Sequence, residues 1–380
     1  MYRFMSILIK TVTTKKDLKT FVRFGNRLYK GSRYHVPSLV FDDMNTLSKS
    51  NGAFEFCEAE YYLAYRDDKP VGRVAAIINH KANKSWKVNQ VRFGWFDFID
   101  DIEVSKALLD AVMAFGKSRG MTHIAGPLGF TDFDPEGMLV EGFDRISTMA
   151  LIYNYPYYPE HMKQLGYTKE TGWGEFRITI PNEMPERHRR LANIVLERNN
   201  LKVRKLTLRQ IRKEKYGQKL FQLINQTYCI LYGYSVLSEV QIDQFVDTYL
   251  SLIDARMLTF VEDENGELIA AGISMPSIAE ALQKCRGELF PFGWWHLIKT
   301  MFIKRPDTVE LLLIGVRPDY QNKGIPTIII CDLIETYRKL GFKYAETNAM
   351  LETNTAVRAL WQPFEHEQHK KRWIFAKEIE

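Results

Sequence analysis

Residues 315 to 326 read GVRPDYQNKGIP and lie between two apolar runs, TVELLLIGV and TIIICDLIETYRKLGF. A strand that ends in a short polar loop and opens a helix leaves the first helical N–H groups without partners, and the helix dipole adds partial positive charge there. Such a turn can hold phosphate. Gly324 lets the backbone approach an anion closely, and Arg317 and Lys323 add charge beside it. The same pattern is also an ordinary strand-to-helix connection, so the elements around it have to decide.

A chain of 380 residues is long for one core, and two domains are expected. With 46% hydrophobic and 26% charged residues it reads as globular. In the first half a strand and a helix come first, with Thr14 as N-cap and Leu18, Phe21 and Val22 on one face. A hairpin over Tyr61–Tyr65 and Gly72–Ile78, the strand VRFGWFDFI, a helix over 102–118 and the strand MTHIAG follow. The second half repeats this order. LKVRKLTL is a strand, Asn265-Gly266 turns a hairpin, and TVELLLIGV is the long strand. Residues 326–340 are a helix with Ile329, Leu333, Tyr337 and Leu340 on one face and Gly341 as its stop. FKYAETN closes the series. The chain thus reads as a degenerate internal duplication: an α/β fold with domains at 1–182 and 201–380, joined by a basic, helix-like linker at 183–200.

The strand, the V-x-P-x-Y-Q-x-x-G-I loop, the amphipathic helix, the next strand and the segment LETNTAVRALWQPF together resemble the acyl-CoA-binding region of the GCN5-related N-acetyltransferase (GNAT) superfamily. The resemblance is strongest over about residues 257 to 377, and residues 1–180 resemble the same fold more weakly. It implies two tandem GNAT-like domains, each a twisted mixed sheet with helices on both faces. It also implies that acyl-CoA is the co-substrate. The family's Q/R-x-x-G-x-G/A loop falls on Gln321, Gly324 and Pro326. The implied binding set is Val316, Arg317, Gln321, Asn322, Lys323, Gly324, Ile325 and Thr327, with Asn354 from the N-x-x-A-like segment. Two positions depart from the family. Pro326 removes an N–H, although proline suits a first helical turn. Leu360 and Trp361 stand where many members carry an acidic tyrosine. The first half has FIDDIEVSK where the loop should be, with Asp100, Asp101 and Glu103 and no glycine. Carboxylates there repel a pyrophosphate, so one acyl-CoA site is expected, in the second half.

Acyl transfer from a thioester to an amine needs the amine deprotonated, the carbonyl polarised and the two held together. A backbone N–H on a splayed strand polarises the thioester in this family. Glu310, in an apolar strand, and Glu346, on the next strand, are the candidate bases, with Asn348 and Glu352 just beyond. A surface or ion-paired role is the plainer reading of each carboxylate. In the first half, GPLGFTDFDPEGMLVEGFD and YNYPYYPEHMKQLGY mix acids with aromatics. Asp132 and Asp134 could hold a cationic amine, with Tyr153 as a wall; a structured covering loop is the alternative.

The stretch GELFPFGWWHLIKTMFIKR at 287–305 is aromatic, basic and amphipathic. It could contact a membrane interface, wall a lipid channel through Trp294 and Trp295, or pack against the first half. Its position before the loop-bearing strand points the reading toward a long-chain acyl donor and a lipid-like amine. The rival readings are a non-catalytic acyl-CoA binder and an aminoacyl-tRNA-dependent transferase. The basic linker lacks the interleaved aromatics of a nucleic-acid stacking surface. The four cysteines and eight histidines show no metal-ligand spacing, so no metal is expected, and the cysteine usage suits a reducing compartment. The N-terminal apolar run is too short for a signal peptide and no run spans a bilayer, so a cytoplasmic location is expected.

Overall fold

The structure is a computed structural model that describes residues 6–249 and 253–380. The chain forms two compact units, interleaved along the sequence where consecutive halves were expected. The first holds residues 1–174, 278–303 and 369–380; the second holds 175–277 and 304–368.

The first unit contains β1 (Leu8–Thr11), α1 (Lys15–Leu28), α2 (Val40–Thr46), β2 (Cys57–Arg66), β3 (Lys69–Asn79), α3 (His80–Trp86), β4 (Gln90–Phe98), α4 (Ile102–Lys117), β5 (His123–Gly126), β6 (Met138–Glu141), α5 (Tyr157–Gln164) and the start of β7 (Thr168–Thr179). The second unit takes the rest of β7, then α6 (Glu186–Arg198), β8 (Lys202–Arg204), α7 (Leu208–Lys213), α8 (Tyr216–Tyr228), α9 (Glu239–Tyr249), β9 (Leu258–Glu262) and β10 (Leu268–Pro276). The chain returns to the first unit for α10 (Ala279–Cys285) and α11 (Gly293–Ile298). The second unit then adds β11 (Thr308–Val316), α12 (Ile325–Leu340), β12 (Tyr344–Thr347), β13 (Met350–Leu351) and α13 (Thr355–Ala359), and β14 (His366–Glu378) ends in the first.

Each unit has the same sheet logic. In the first, β1 to β4 are antiparallel neighbours, β4 pairs parallel with β5 across the helix α4, and β5 pairs antiparallel with β14. In the second, β8 to β11 are antiparallel, β11 pairs parallel with β12 across α12, and β12 pairs antiparallel with β7. The duplication is therefore real at the level of topology. The closing strands are exchanged: the end of the chain completes the first unit, and a strand from its first half completes the second.

The local signals act as their chemistry dictates. Thr14 caps α1 in a reciprocal box with Asp17. Gly341 ends α12 in the left-handed conformation at φ 84°. The apolar face of α12, including Ile329, Leu333 and Tyr337, is buried in the core of the second unit with Val309 and Ala345. The stretch 183–200 is part of the second unit and not a linker between domains: Ala192 and Val195 of α6 are buried in that same core. The apolar pattern of α6 is blurred because Leu191 and Ile194 are exposed beside the buried Ala192 and Val195.

Candidate functional site

β11 and β12 lie side by side from Thr308↔Tyr344 to Leu311↔Thr347 and part beyond that rung. The cause sits on the other edge of β11. Its register with β10 slips between Ile273↔Leu313 and Ser274↔Leu311, so Leu312 is an extra residue. A bulge of this kind bends its strand away from a neighbour. Leu311, Leu312, Leu313 and Ile314 are consequently only half-buried in an otherwise buried strand. Asn348 props the fork. Its N–H donates to the Leu311 carbonyl at 3.0 Å and its Nδ2 to the Leu312 carbonyl at 3.4 Å.

One rung inside the fork, Glu310 and Glu346 are register partners, and Arg177 of β7 is opposite Glu346. Partners in adjacent strands share a face, and this is the face turned away from α12, since Val309 and Ala345 point into the α12 core. Both carboxylates are buried, Glu310 at 2% exposure and Glu346 at 7%. Ser277 Oγ donates to Glu310 Oε1 at 2.7 Å. Of the other sequence candidates, Glu352 is exposed on the turn before α13, outside the strand row. Asn354 uses its Oδ1 to cap α13 at Val357 N–H.

At the far end of β11 the predicted loop folds as a tight turn. Asn322 and Gly324 both have positive φ, 62° and 78°. Gly324 is the N-cap of α12 and offers no side chain to its N–H groups. Among the described residues, the N–H groups of Asn322, Lys323 and Gly324 donate to no acceptor. Pro326 sits in the first turn of α12, where a missing N–H costs the helix nothing and removes one anion donor. Thr327 N–H donates to the Gly324 carbonyl at 3.1 Å. Gln321 Nε2 ties the loop to the Val316 carbonyl at 3.2 Å. Arg317 is clamped to Asp319 at 2.7 Å, so Lys323, over the Tyr320 ring at 4.4 Å, is the more available cation. The turn fits a pyrophosphate: open N–H groups, a helix dipole and a Gly324 without Cβ.

The equivalent helix of the first unit is closed. Asp101 Oδ1 accepts the Glu103 N–H at 3.0 Å and its Oδ2 meets Arg66 at 2.6 Å. A carboxylate already occupies that helix N-terminus, as FIDDIEVSK implied.

One residue of the second unit carried no sequence signal. Tyr228, at the end of α8, donates from its hydroxyl to the Ile314 carbonyl at 3.1 Å. Burial pushes its phenol up to about 12, so it is a neutral proton donor at physiological pH. Nothing in the sequence around it sets it apart from the other eighteen tyrosines.

In the first unit the predicted amine-binding residues turn inward. Tyr153 is buried against Tyr29, and its hydroxyl donates to the Phe143 carbonyl at 3.1 Å. It is a packing residue and not a pocket wall. Asp134 Oδ2 accepts the Thr131 N–H at 2.9 Å. Asp132 has both carboxyl oxygens buried with no hydrogen-bond partner among the described residues. Burial raises Asp132 to about 7, helped by the Asp134 charge, and raises Asp134 to about 6. Burial and then the Asp132 charge hold Glu136 well above the usual carboxylate range. These groups bind more protons folded than unfolded, so their contribution falls as pH rises from about 4 through about 7. Asp132→Asn is expected to raise the melting temperature at pH 8 and to change it little at pH 5, as scanning calorimetry at the two pH values would read. An equal effect at both would remove the carboxyl titration from the account.

A cleft of about 530 Å³ lies at the opposite end of α12, lined by Arg189, Glu335, Arg338 and Phe342. It is far along the helix from the turn, and the chemistry described here does not use it. Among the described residues no group of side chains is arranged to hold a metal ion, and no helix is long and apolar enough to cross a membrane.

The second unit thus holds a forked parallel strand pair followed by an open, Gly-capped helix. Residues 218–364 match the family model described as the acetyltransferase (GNAT) family, and the fold of the whole chain is similar to that of tandem GNAT proteins. In that family the acyl donor is ordinarily an acyl-CoA. A tandem GNAT protein from the clavulanic acid biosynthesis pathway superposes with a TM-score of 0.56 at 10% identity, over 99% of both chains. Protein YghO of Escherichia coli (strain K12) is 28% identical over 98% of this chain and 95% of its own length. A bacterial ceramide synthase of Caulobacter vibrioides (strain NA1000 / CB15N) is 25% identical over 91% of each.

Proposed function

We propose that the chain transfers a long-chain acyl group from a coenzyme A thioester to a lipid-like primary amine, of the kind a sphingoid base presents, at the cytoplasmic surface of a membrane. The observation that carries the acyl-CoA part is the contrast between the two related helix starts: α12 is open and capped by Gly324, and α4 is closed by Asp101. The lipid part is supported by the four half-buried apolar residues at the fork, by the exposed aromatic segment at 287–305 and by the similarity to a protein named a ceramide synthase.

The pyrophosphate lies on the N–H groups of Asn322, Lys323 and Gly324, and the thioester lies in the fork. Glu310 takes a proton from the amine, with Glu346 as its neighbour. The neutral nitrogen attacks the thioester carbonyl, whose oxygen is held by a backbone N–H of the parted strand. The C–S bond then breaks, the sulfur leaves as a thiol with a proton from the Tyr228 hydroxyl, and the excess proton released by the new amide nitrogen restores the phenol.

Calorimetric titration with coenzyme A, acetyl-CoA and palmitoyl-CoA is expected to give saturable binding of all three, tightest for palmitoyl-CoA. Equal affinity for the acetyl and palmitoyl esters would remove the long-chain assignment. No binding of any of them would end the enzyme reading and leave a non-catalytic protein in which Pro326 has closed the turn.

A further inference from the structure

The chain leaves the second unit after Ser277, contributes residues 278–303 to the first and returns. The early part of this excursion is a firm mount. Ala281, Leu282 and Cys285 are buried. Gln283 Nε2 donates to the Arg33 and His35 carbonyls, both at 2.9 Å, and the Gly287 carbonyl accepts the Val40 N–H at 2.9 Å. Arg23 pairs with Glu288 at 2.7 Å. A left-handed Gly287 at φ 74° is needed here, because a Cβ would meet the Ser38 carbonyl at 2.2 Å.

This mount presents large apolar side chains to solvent. Phe290 is 82% exposed, Phe292 74%, Trp294 43%, Trp295 46% and Ile303 62%, and α11 has no buried residue. Phe41, 64% exposed, follows directly after the Val40 that bonds Gly287. The side chain of Phe302 lies outside the described residues. Scattered exposed apolar residues are ordinary, but a run of large aromatics on an anchored projection marks a contact surface.

The charges select the occupant. From Phe290 to Arg305 there is no Asp or Glu, while Lys299, Lys304 and Arg305 are basic. Arg305 lies 3.8 Å from Asp254, whereas Lys299 and Lys304 are exposed. Bulky aromatics with lysines beside them, on a short helix that no core covers, are what a lipid–water interface takes up. Anionic headgroups complement the lysines. We infer that Phe41, Phe290, Phe292, Trp294 and Trp295, flanked by Lys299 and Lys304, form a docking element that inserts into the interface of an anionic phospholipid bilayer. The purpose rests on the lipid-amine reading above: a docked enzyme can draw an insoluble amine from the bilayer. The binding itself needs no substrate and is measured without one.

Co-sedimentation of the full chain with vesicles of phosphatidylglycerol and phosphatidylcholine tests it. Binding is expected at physiological salt, with a blue shift of tryptophan emission, and much weaker binding to phosphatidylcholine alone. Phe41→Ser/Phe290→Ser/Phe292→Ser is expected to lose vesicle binding while keeping its melting temperature and its affinity for coenzyme A. Lys299→Glu/Lys304→Glu is expected to weaken binding to the anionic vesicles about tenfold or more, from about 1 kcal/mol per basic residue at such a surface. Failure of the native chain to bind vesicles overturns the proposal. So does a dimer, seen by sedimentation, that the triple phenylalanine variant abolishes while vesicle binding persists. Vesicle binding by a chain that binds no acyl-CoA would leave this proposal standing and end the enzyme reading; the converse result separates them the other way.

Discussion

Gly324→Asp is expected to lower the affinity for coenzyme A by about 100-fold or more and to leave the fold intact. Two effects add. Gly324 stands at φ 78°, and a Cβ there would come within 3.1 Å of Val195 Cγ2. A left-handed L-residue costs roughly 1–2 kcal/mol, which a domain of ordinary stability survives. The larger effect is electrostatic. A carboxylate at the N-cap takes up the first-turn N–H groups, as Asp101 does at α4, and meets a pyrophosphate with like charge. Losing one or two charge-assisted hydrogen bonds at about 1.5–3 kcal/mol each gives the stated factor. Calorimetric titration beside a thermal melt reads both quantities. Gly324→Ala separates strain from charge, with a loss of only a few-fold expected, about 1 kcal/mol of left-handed strain. Unchanged binding by the aspartate variant would take the phosphate away from this turn.

Glu310→Gln is expected to reduce kcat by about 10²-fold or more, the usual worth of a general base, with coenzyme A affinity unchanged. The glutamine amide oxygen can still accept from Ser277 Oγ, so the 2.7 Å bond that orients the side chain survives and packing is not the variable. The pH–rate profile discriminates further. A base gives kcat/KM an acidic limb, and the glutamine variant should lose it. Glu346→Gln is the companion, one rung across on the same face. If both variants retained turnover within about threefold, the effect of a surface change and not of a lost base, neither carboxylate would be the base, and the fold and the coenzyme turn would be unaffected.

The amino-acid sequence alone determined what depends on near neighbours. The period of α12, its start at Gly324 and its stop at Gly341 are local, because a left-handed glycine and an apolar face every three or four residues are dictated within one or two turns of chain. The Thr14 cap and the acids at the start of α4 are local in the same sense. The repeated order of hairpin, strand, helix and strand pointed to two related units, and the loop pointed to the open turn before α12.

Tertiary structure decided what depends on distant partners. The extra residue at Leu312 that parts β11 from β12 is a matter of register against β10, and register is a relation between strands. That β14 closes the first unit and β7 the second could not be read from strands whose apolar pattern would suit either sheet. Likewise, the burial of Tyr153 and Asp132, the reach of Tyr228 to the Ile314 carbonyl and the anchoring of 278–303 on the first unit follow from which surfaces meet. A residue type shows what a side chain can do; long-range packing sets what it faces, because burial and hydrogen-bond partners come from segments tens to hundreds of residues away.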